Sequence, residues 1–495
     1  MIFLLLLSFI IPFFIGYFII NSFWFHQKSI LSGFLLKFIL SIGTGAGVSS
    51  LGFLMSSFLF APSRNMIITF DFVLLMLSLA FYFFSIKLRK RKPCSEIQIN
   101  TVYSNTTIMR LVSLLLCLII GFFIITFILK SVIKEPHGYI DAVGFFNLMA
   151  RFLFRGGEDW VNFYSLIKWN GLGFSKLEYM DMVFPQLLHH SYPLLLPGVI
   201  AKTWYYISED TTTVPIIVTI MFTFSTIGLL YTSLSILRGK SQGLLATMLL
   251  MGSPIFFQCG INQVADVPIS FYYLSAIILF ALSERISEKN KSLMVLAGLM
   301  AGLSAWTKNE GLMFVLLVIV ASAIVNIPAK GLKFYIKKLL PFVIGFLPVL
   351  LAIIYFKIYL AESSYVFAHG SSSIIDKLID PSKFLIVSKV FLKNLFIYNT
   401  GAIFVLFVYY ILLGSNVAIK QNVVISTFLI VFVLYILGLF TTYLISPLEP
   451  TCMITGSLKR LVTHLWPSVI FIFFLIVNSP EESDSTSKNK RLISC

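Results

Sequence analysis

The sequence predicts an all-α polytopic membrane protein with about 13 transmembrane helices. Of its 495 residues, 58% are hydrophobic and only 12% are charged, and the mean hydropathy is +0.93. Ordinary globular domains carry about 25% charged residues, so a soluble fold of this composition would expose more apolar surface than folded monomers tolerate. Apolar runs near the roughly 20 residues that a helix needs to cross a bilayer recur along the chain.

Each of these apolar runs is a predicted span. The runs begin at Ile2, Phe34, Met66, Leu111, Val214, Gly243, Val267, Ser292, Gly311, Leu339, Ile403, Val423 and Leu461. Those that begin at Gly243 and Ser292 are short, so the count is good to within about one or two. The first run lacks a basic segment before it and a small-residue cleavage site after it, which indicates a retained span rather than a signal peptide.

Basic residues set the predicted orientation. Lys and Arg number 37 against 21 Asp and Glu, which gives a net charge of +16. The excess lies in short loops between spans, such as residues 87–92 and 285–291, and topology accounts for it without a nucleic acid partner. With thirteen spans these loops share one side, which the positive-inside rule makes cytoplasmic. The opposite side then holds a long outer loop at residues 134–213.

Composition divides the chain into three predicted parts. Residues 1–109 form an N-terminal extension of three spans with a basic cytoplasmic loop, residues 110–478 form a transmembrane core, and residues 479–495 form a polar cytoplasmic tail. In the outer loop of the core, residues 141–155 place apolar side chains at helical spacing, with two arginines four residues apart. This pattern indicates an interfacial helix whose arginines face lipid phosphates.

Asp141 ends the run EPHGYIDA at the start of the predicted interfacial helix. A carboxylate at this position is ionised at neutral pH and can accept a proton from an alcohol held against it. Asp is equally favoured as the N-cap of a helix that begins at Ala142. One residue can serve both roles, so the sequence leaves both open.

Two predicted outer turns carry further charged residues. Asp266 lies in the run QVADVP, where a helix cap before Pro268 is the more frequent role for such a residue. Lys308 and Glu310 lie in the run AWTKNEG. A lysine at the end of a span usually extends toward water, but with an acid and an amide beside it the turn can also hold a phosphate group.

A third outer turn begins the last predicted span. Arg460 and His464 lie four residues apart in the run GSLKRLVTHLWP and therefore share one helix face. An arginine on the outer side runs against the positive-inside tendency, so either a bound anion or a lipid headgroup explains it. Tyr192 precedes a proline in the run HSYPLLLP, where we expect the chain to return into the membrane with the tyrosine at the headgroup level.

The remaining polar residues point to no metal or nucleotide chemistry. His189 and His190 are adjacent on an irregular loop, where two neighbours rarely supply tetrahedral geometry together. We therefore predict no metal site and no resident cofactor, with a divalent metal unsupported by any motif. Asp71 lies near the outer end of the third span, where we expect it to be solvated. Walker, dinucleotide-binding and HExxH motifs are absent from the sequence.

The order of five motifs resembles that of integral-membrane glycosyltransferases of the GT-C type. The motifs are GYIDA, YPLLLP, ADVP, AWTKNEG and GSLKRLVTHLWP, and the likeness spans residues 111–477. This family uses polyprenyl-phosphate sugars and includes the protein O-mannosyltransferases and the lipid A aminoarabinose transferase. The resemblance implies that Asp141 is the catalytic base and that Lys308 and Arg460 face the lipid-linked phosphate.

The resemblance completes the predicted site and function. Glu310, His464, Tyr192 and Asp266 join the set expected to bind the substrate or its phosphate. We expect an enzyme, a hexosyl- or pentosyltransferase, that moves a sugar from a polyprenyl-phosphate carrier to a hydroxyl acceptor with inversion. Its partners would be that donor, a lipid or glycan acceptor and membrane lipids. The expected place is a bacterial plasma membrane, with the site on the non-cytoplasmic face and a role in the cell envelope.

Two residues depart from the pattern of the relatives, and the sequence is also compatible with two other functions. Ser191 and Lys459 stand where the relatives often have acids, which leaves the identity of donor and acceptor undecided. A polysaccharide polymerase or ligase would also use a polyprenyl-linked substrate and outer-face arginines. A transporter or flippase of lipid-linked sugars is the other alternative. Transporters often place charges near the bilayer midplane, whereas here the middles of the spans are apolar, which counts against transport.

Overall fold

The computed structural model describes residues 1–24, 31–89, 107–157, 191–286, 291–361, 371–415, 423–446 and 448–480, together with residues 160 and 482. In this part of the chain the regular structure is helical, apart from one isolated β-bridge between Ser415 and Val477. His189, His190 and most of the outer loop lie outside the described residues. The predicted all-α polytopic class is confirmed.

The described helices number seventeen α-helices and two short π-helices. The first group is α1 (Ile2–Phe23), α2 (Leu31–Leu59), α3 (Arg64–Arg89), α4 (Thr107–Leu129), π1 (Lys130–Lys134), π2 (Ala142–Phe146), α5 (Asn147–Arg155), α6 (Leu195–Ile207), α7 (Thr213–Leu237), α8 (Lys240–Met251) and α9 (Pro254–Ile261). The second group is α10 (Asp266–Ile286), α11 (Lys291–Thr307), α12 (Asn309–Lys330), α13 (Leu332–Tyr359), α14 (Ser371–Ile379), α15 (Pro381–Leu413), α16 (Val423–Ile445) and α17 (Pro450–Ile476).

All thirteen predicted runs begin inside a helix of the structure. Among the described residues, nine helices are long and apolar enough to cross a bilayer, and a tenth span results if α8 and α9 are counted as one. That pair is bent by 65° at a short break, and α11 has only 17 residues, which matches the two runs that the sequence marks as short. The total of thirteen spans stays a prediction.

Helix α10 is the centre of the bundle. Its apolar stretch is buried along its whole length, and the helix packs against α7, α11 and α17. A helix that is apolar on all sides is typical of such a central position. Because Asp266 is the first residue of α10, its carboxylate lies inside the protein at the end of this central helix.

The two ends of the bundle carry separate polar contacts. At one end Arg238 pairs with Glu482 at 2.8 Å and Lys338 pairs with Glu284 at 2.6 Å. At the other end lie the acids and bases of the predicted outer turns. The sequence therefore sorted these residues correctly into two groups, and which group is cytoplasmic stays a prediction.

The N-terminal helices pack directly on the core through polar side chains of α2. The Ser50 hydroxyl donates to the carbonyl of Leu194 at 3.1 Å and accepts from the Trp306 indole at 3.2 Å. These two partners lie just after Tyr192 and just before Lys308 in the chain. The N-terminal part thus contacts both segments that lead into the predicted site.

Asp71 is not solvated, which corrects the sequence-based expectation. Its side chain is 2% exposed and its Oδ2 accepts from Lys202 Nζ at 2.8 Å and from Tyr206 Oη at 2.6 Å. Lys202 also donates to Ser49 at 2.5 Å. The spans α2 and α3 bury this carboxylate against α6, and a buried charge requires such partners.

The segment predicted to lie in the interface is helical, and its two arginines contact an acid of the protein. The helix comprises π2 and α5, and its apolar residues pack against α6. Arg155 pairs with Asp210 at 2.5 Å and Arg151 approaches the same carboxylate at 3.5 Å. Asp210 thus supplies a negative charge to both arginines within the protein, and their expected contact with lipid phosphates stays a prediction.

Candidate active site

A loop between two π-helices carries Asp141. The loop follows π1 and precedes π2, and short π-helical turns are frequent at functional sites. Gly138 has a φ of +78°, a backbone conformation that favours glycine. The Tyr139 amide donates to the Asn262 carbonyl at 3.1 Å. The loop is thereby held against the segment that leads into α10.

A buried amide pair fixes the base of this loop. The Asn147 side chain donates to Gln263 Oε1 at 2.9 Å and to the His137 carbonyl at 3.1 Å. The Gln263 amide in turn donates to the carbonyls of Glu135 and Pro136 at 3.2 and 3.3 Å. The sequence singled out neither amide, although Gln263 lies only three residues before Asp266.

Asp141 forms an ion pair with Arg460 rather than capping a helix. Its Oδ2 accepts from Arg460 Nη1, and the Asp141 side chain makes no capping hydrogen bond to π2. Both side chains are partly open, with 28% of Asp141 and 25% of Arg460 exposed. Arg460 Nε is buried and lacks a hydrogen-bond acceptor among the described residues. The pair is accessible, and the guanidinium keeps an unused donor.

Asp266 binds a lysine, Lys308, and a histidine, His464, which lies one turn after Arg460 on α17. Its Oδ1 accepts from Lys308 Nζ at 3.0 Å and from His464 Nε2 at 2.6 Å. Because Nε2 donates to the carboxylate, Nδ1 of a neutral His464 accepts from the Tyr435 hydroxyl at 3.1 Å. The carboxylate of Asp266 therefore binds two side chains, which differs from the cap role that the sequence favoured.

Lys308 is buried, which excludes extension toward water, one of the two roles that the sequence left open for it. Its ammonium lies 3.6 Å from Glu310 Oε1 and 5.5 Å from the centre of the Tyr192 ring. Burial alone would lower the pKa of Lys308, but the carboxylates of Asp266 and Glu310 outweigh it and raise the pKa above its usual value. The side chain is accordingly a permanent cation inside the site.

Tyr192 and Glu310 close the cluster on its other side. The Tyr192 hydroxyl donates to Glu310 Oε1 at 3.4 Å, and the Tyr273 hydroxyl donates to the Glu310 carbonyl at 2.7 Å. Burial and the neighbouring Glu310 carboxylate raise the pKa of Tyr192, which keeps its hydroxyl protonated. Glu310 Oε2 is buried with no hydrogen-bond donor among the described groups. The site thus contains an unused acceptor as well as an unused donor.

The structure brings all seven predicted site residues into one cluster. They are Asp141, Tyr192, Asp266, Lys308, Glu310, Arg460 and His464. Sequence reasoning missed Tyr273 and Tyr435, which lie inside apolar spans and belong to no motif. It also missed Lys357, whose ammonium donates to Asn309 Oδ1 at 2.7 Å and to the Ser191 carbonyl. A lysine so near the outer end of a span was the available signal.

An apolar cavity of about 590 Å³ lies beside this cluster. It is bounded by α8, α9, α15 and α17, and its wall on α17 includes Val462, Thr463 and Trp466. These residues lie within two turns of Arg460 on the same helix. Ligand sites in proteins span about 300–1,000 Å³, so the cavity has the size of a site for part of a lipid chain.

The decisive comparison concerns the middle of the chain. Residues 190–356 match the model of a family described as dolichyl-phosphate-mannose-protein mannosyltransferase. The matched segment holds Tyr192, Asp266, Lys308 and Glu310, and it covers about a third of the chain. The predicted resemblance to the GT-C type is confirmed by this match. Comparisons with curated proteins and with solved structures found no match.

The family match and the apolar helices together support an integral membrane glycosyltransferase of the GT-C type. Asp141, Arg460 and His464 lie outside the matched segment, and their contacts with it come from the fold. Among the described residues, no group of three or more His, Cys, Asp or Glu side chains is arranged to hold a metal ion. The expectation of no metal and no cofactor stays a prediction.

Proposed function

We propose that the chain transfers a sugar from a polyprenyl phosphate to a hydroxyl acceptor at the non-cytoplasmic face of a bacterial plasma membrane. The observation that carries the proposal is the Asp141–Arg460 ion pair beside the family-matched cluster. A glycosyl transfer from a lipid phosphate requires a base for the acceptor and a cation for the departing phosphate. The pair supplies one of each, at a point open to both substrates.

Arg460 is the proposed ligand of the donor phosphate. A guanidinium offers a planar fork of donors that matches phosphate oxygens, and Arg460 keeps a buried Nε–H without an acceptor. Lys308 is already paired with Asp266 and Glu310, so we propose that it acts on the phosphate through its charge rather than by direct contact. This assignment refines the role that the resemblance implies for Lys308.

Donor binding would also prepare the base. In the structure, the guanidinium of Arg460 holds the Asp141 carboxylate in an ion pair. A phosphate that binds Arg460 competes with Asp141 for the guanidinium and frees the carboxylate beside the sugar. The base would therefore become available only when the donor is bound.

The transfer step follows from these positions. The acceptor oxygen attacks the anomeric carbon, and its proton passes to the Asp141 carboxylate. The bond between that carbon and the phosphate oxygen breaks, and the phosphate leaves with the bonding electron pair toward Arg460. A single displacement of this kind inverts the anomeric configuration. The apolar cavity on the same helix would hold the first part of the polyprenyl chain.

A transfer assay tests the proposal. Purified protein in proteoliposomes receives a polyprenyl phosphate that carries a radiolabelled sugar, and glycosylated products are extracted from envelope lipids or glycans. We expect Asp141→Asn to lower transfer by about 100-fold or more, within the range that loss of a general base produces. The matched control is Asp210→Asn, which removes another ion-paired outer acid but no group of the site. Full transfer by Asp141→Asn at normal expression would show the base assignment to be wrong.

The same preparation separates the rival functions. A polymerase or ligase would extend product from an oligosaccharide-charged lipid and not from a monosaccharide-charged one. A flippase would move the labelled lipid across the vesicle without forming a new glycosidic bond. Product formation from the monosaccharide-charged lipid, without prior translocation, is the result that the proposed transferase requires.

A further inference from the structure

A second cavity, of about 550 Å³, lies on the other side of the break between α8 and α9. We call it the amphipathic cavity. Its lining comes from α4, π1, the end of α8 and α9, and it shares Gly252 and Pro254 with the apolar cavity. Broken helices within a membrane protein are tolerated where they line a cavity or are buried in protein. The residues at the break therefore form a wall that the two cavities share.

The lining of the amphipathic cavity combines apolar rings with cations. The rings of Phe123 and Phe257 stack with centroids 4.6 Å apart. Lys130 and Lys134 also contribute to the lining, one turn apart in π1. In the part of the chain that the structure describes, neither ammonium is paired with a carboxylate. With Glu135, the charged residues of the lining are two cations and one acid, and a net positive lining beside an apolar wall matches an anionic amphiphile.

The cavity adjoins the loop that carries Asp141. Its lining residue Asn262 accepts the amide hydrogen of Tyr139, two residues before Asp141. Glu135 also lines the cavity, and its backbone carbonyl accepts a hydrogen bond from the Gln263 side-chain amide. A headgroup near π1 would therefore lie against the segment from residue 135 to residue 141.

We propose that the amphipathic cavity binds the acceptor, and that the acceptor is an anionic lipid with a phosphate and a free hydroxyl in its headgroup. Lys130 and Lys134 would bind the phosphate, the phenylalanine rings would contact the acyl chain, and the hydroxyl would reach Asp141. This inference rests on the proposed function and names its acceptor class. The apolar lining around Phe123 and Phe257 favours a lipid over a peptide, because the backbone amides of a peptide would need hydrogen-bond partners there.

A binding experiment tests the inference without relying on transfer. The full chain in detergent is titrated with phosphatidylglycerol, which carries a phosphate and free hydroxyls, and with zwitterionic phosphatidylcholine, and bound lipid is counted by native mass spectrometry. We expect Lys130→Gln with Lys134→Gln to weaken phosphatidylglycerol binding at least fivefold. The matched control is Lys333→Gln with Lys337→Gln, two exposed lysines at the same spacing on α13. Phosphatidylcholine binding should not distinguish the variants.

Two further measurements locate the lipid. Phosphatidylglycerol with a photoreactive acyl chain should label peptides that contain residues 123–134 and 254–261. Gln258→Trp, which places a large ring in the cavity, should reduce that labelling at least fivefold, with the lysines intact. The proposal would be overturned if phosphatidylglycerol binding fell equally in the lysine pair and in its control, or if the label spread over the outer helix surfaces. Lys130 and Lys134 would then be ordinary charges at the membrane surface.

Donor-side binding distinguishes failure of this inference from failure of the proposed function. Undecaprenyl phosphate binding should be unchanged in Lys130→Gln with Lys134→Gln and weakened in Arg460→Gln. If Arg460→Gln also leaves undecaprenyl phosphate binding unchanged, the proposed function fails. If only the phosphatidylglycerol results fail, while Arg460→Gln weakens undecaprenyl phosphate binding, the proposed function stands and the lipid inference is wrong.

Discussion

The guanidinium of Arg460 is paired with the carboxylate of Asp141, although 319 positions separate the two residues in the chain. Asp141 comes from the loop between π1 and π2, and Arg460 comes from about the third turn of α17. His464, one turn deeper on the same helix, binds Asp266 at 2.6 Å. The α17 helix therefore contacts two acids from two separate segments, and a shift of this helix would change both contacts.

Arg460→Lys should weaken donor binding by about tenfold or more. A lysine keeps the charge but not the fork of donors, and hydrogen bonds to charged groups contribute about 1.5–3 kcal/mol. Undecaprenyl phosphate affinity, measured by scintillation proximity on the detergent-purified protein, checks this. Arg151→Lys is the control, because Arg151 is a partly buried outer arginine that pairs with Asp210. Equal affinities for wild type and Arg460→Lys would contradict bidentate phosphate binding.

Gly138→Ala should lower transfer by about tenfold or more by displacing the Asp141 loop. A Cβ at Gly138 would lie 2.6 Å from the Ala142 Cβ and 2.8 Å from the Asn262 carbonyl, and the φ of +78° would be strained. Gly144→Ala is the control, because a Cβ there meets nothing within 4 Å. Transfer rates of the two variants, at matched expression and melting temperature, give the comparison. Similar rates would mean that the loop position does not matter.

Lys308→Met should destabilise the protein by about 3–5 kcal/mol, because it leaves Asp266 and Glu310 as buried acids without their cation. Adding Asp266→Asn to this variant should restore part of the loss. Unfolding of the detergent-solubilised protein, followed by tryptophan fluorescence, measures both. Lys333→Met, at an exposed position, controls for loss of a lysine. An unaltered stability in Lys308→Met would show that the cluster does not depend on this cation.

The stabilising contribution of Lys308 should stay constant between pH 7 and pH 10. Its folded-state pKa is raised, so its contribution is complete below the unfolded-state pKa of about 10.4 and is lost only as pH rises through the folded-state value. The difference in melting temperature between wild type and Lys308→Met should therefore be flat over this range. A difference that halves before pH 10 would indicate that the ammonium is not held by the two carboxylates.

Lys202→Met should destabilise the N-terminal helices through Asp71. The change leaves a carboxylate that is 2% exposed without its cation, which costs about 3–5 kcal/mol. The double variant Asp71→Asn with Lys202→Met should be more stable than Lys202→Met alone, since it removes the uncompensated charge. Ser49→Ala removes two hydrogen bonds of the same cluster, one from Lys202 and one to Asp71, but no charge, and should cost less, about 1–2 kcal/mol. A Lys202→Met protein as stable as Ser49→Ala would contradict the pairing.

The sequence predicted the membrane class, the positions of the helices and seven polar residues that the structure brings together, but not how these residues pair. Apolar periodicity and loop charge are local properties, so they placed Asp141, Lys308 and Arg460 on one side. Which acid meets which base depends on how α10, α12 and α17 pack, and no local pattern encodes it. For the same reason the sequence assigned Asp71 to solvent and left extension toward water open for Lys308, although both are buried against partners far along the chain.

The residues missed by the sequence are polar groups within apolar runs. Tyr435 and Tyr273 look like ordinary members of a span, yet their hydroxyls bond His464 and the Glu310 carbonyl. Lys202 lies in a helix of 13 residues that the sequence did not mark, and only its burial beside Asp71 reveals a role. Such residues become visible only once the neighbours of each helix face are known.

A double-mutant cycle on sugar transfer tests most directly whether Asp141 and Arg460 act together in one site. Transfer rates are measured for Asp141→Asn, Arg460→Gln and the double variant. A control cycle uses Asp210→Asn, Arg151→Gln and their double variant, which alter an ion pair outside the site. If the two residues act as a unit, the double variant should be no more than about threefold slower than the slower single variant. If the two losses multiply, or if either single variant keeps full transfer, Asp141 and Arg460 do not form the active site.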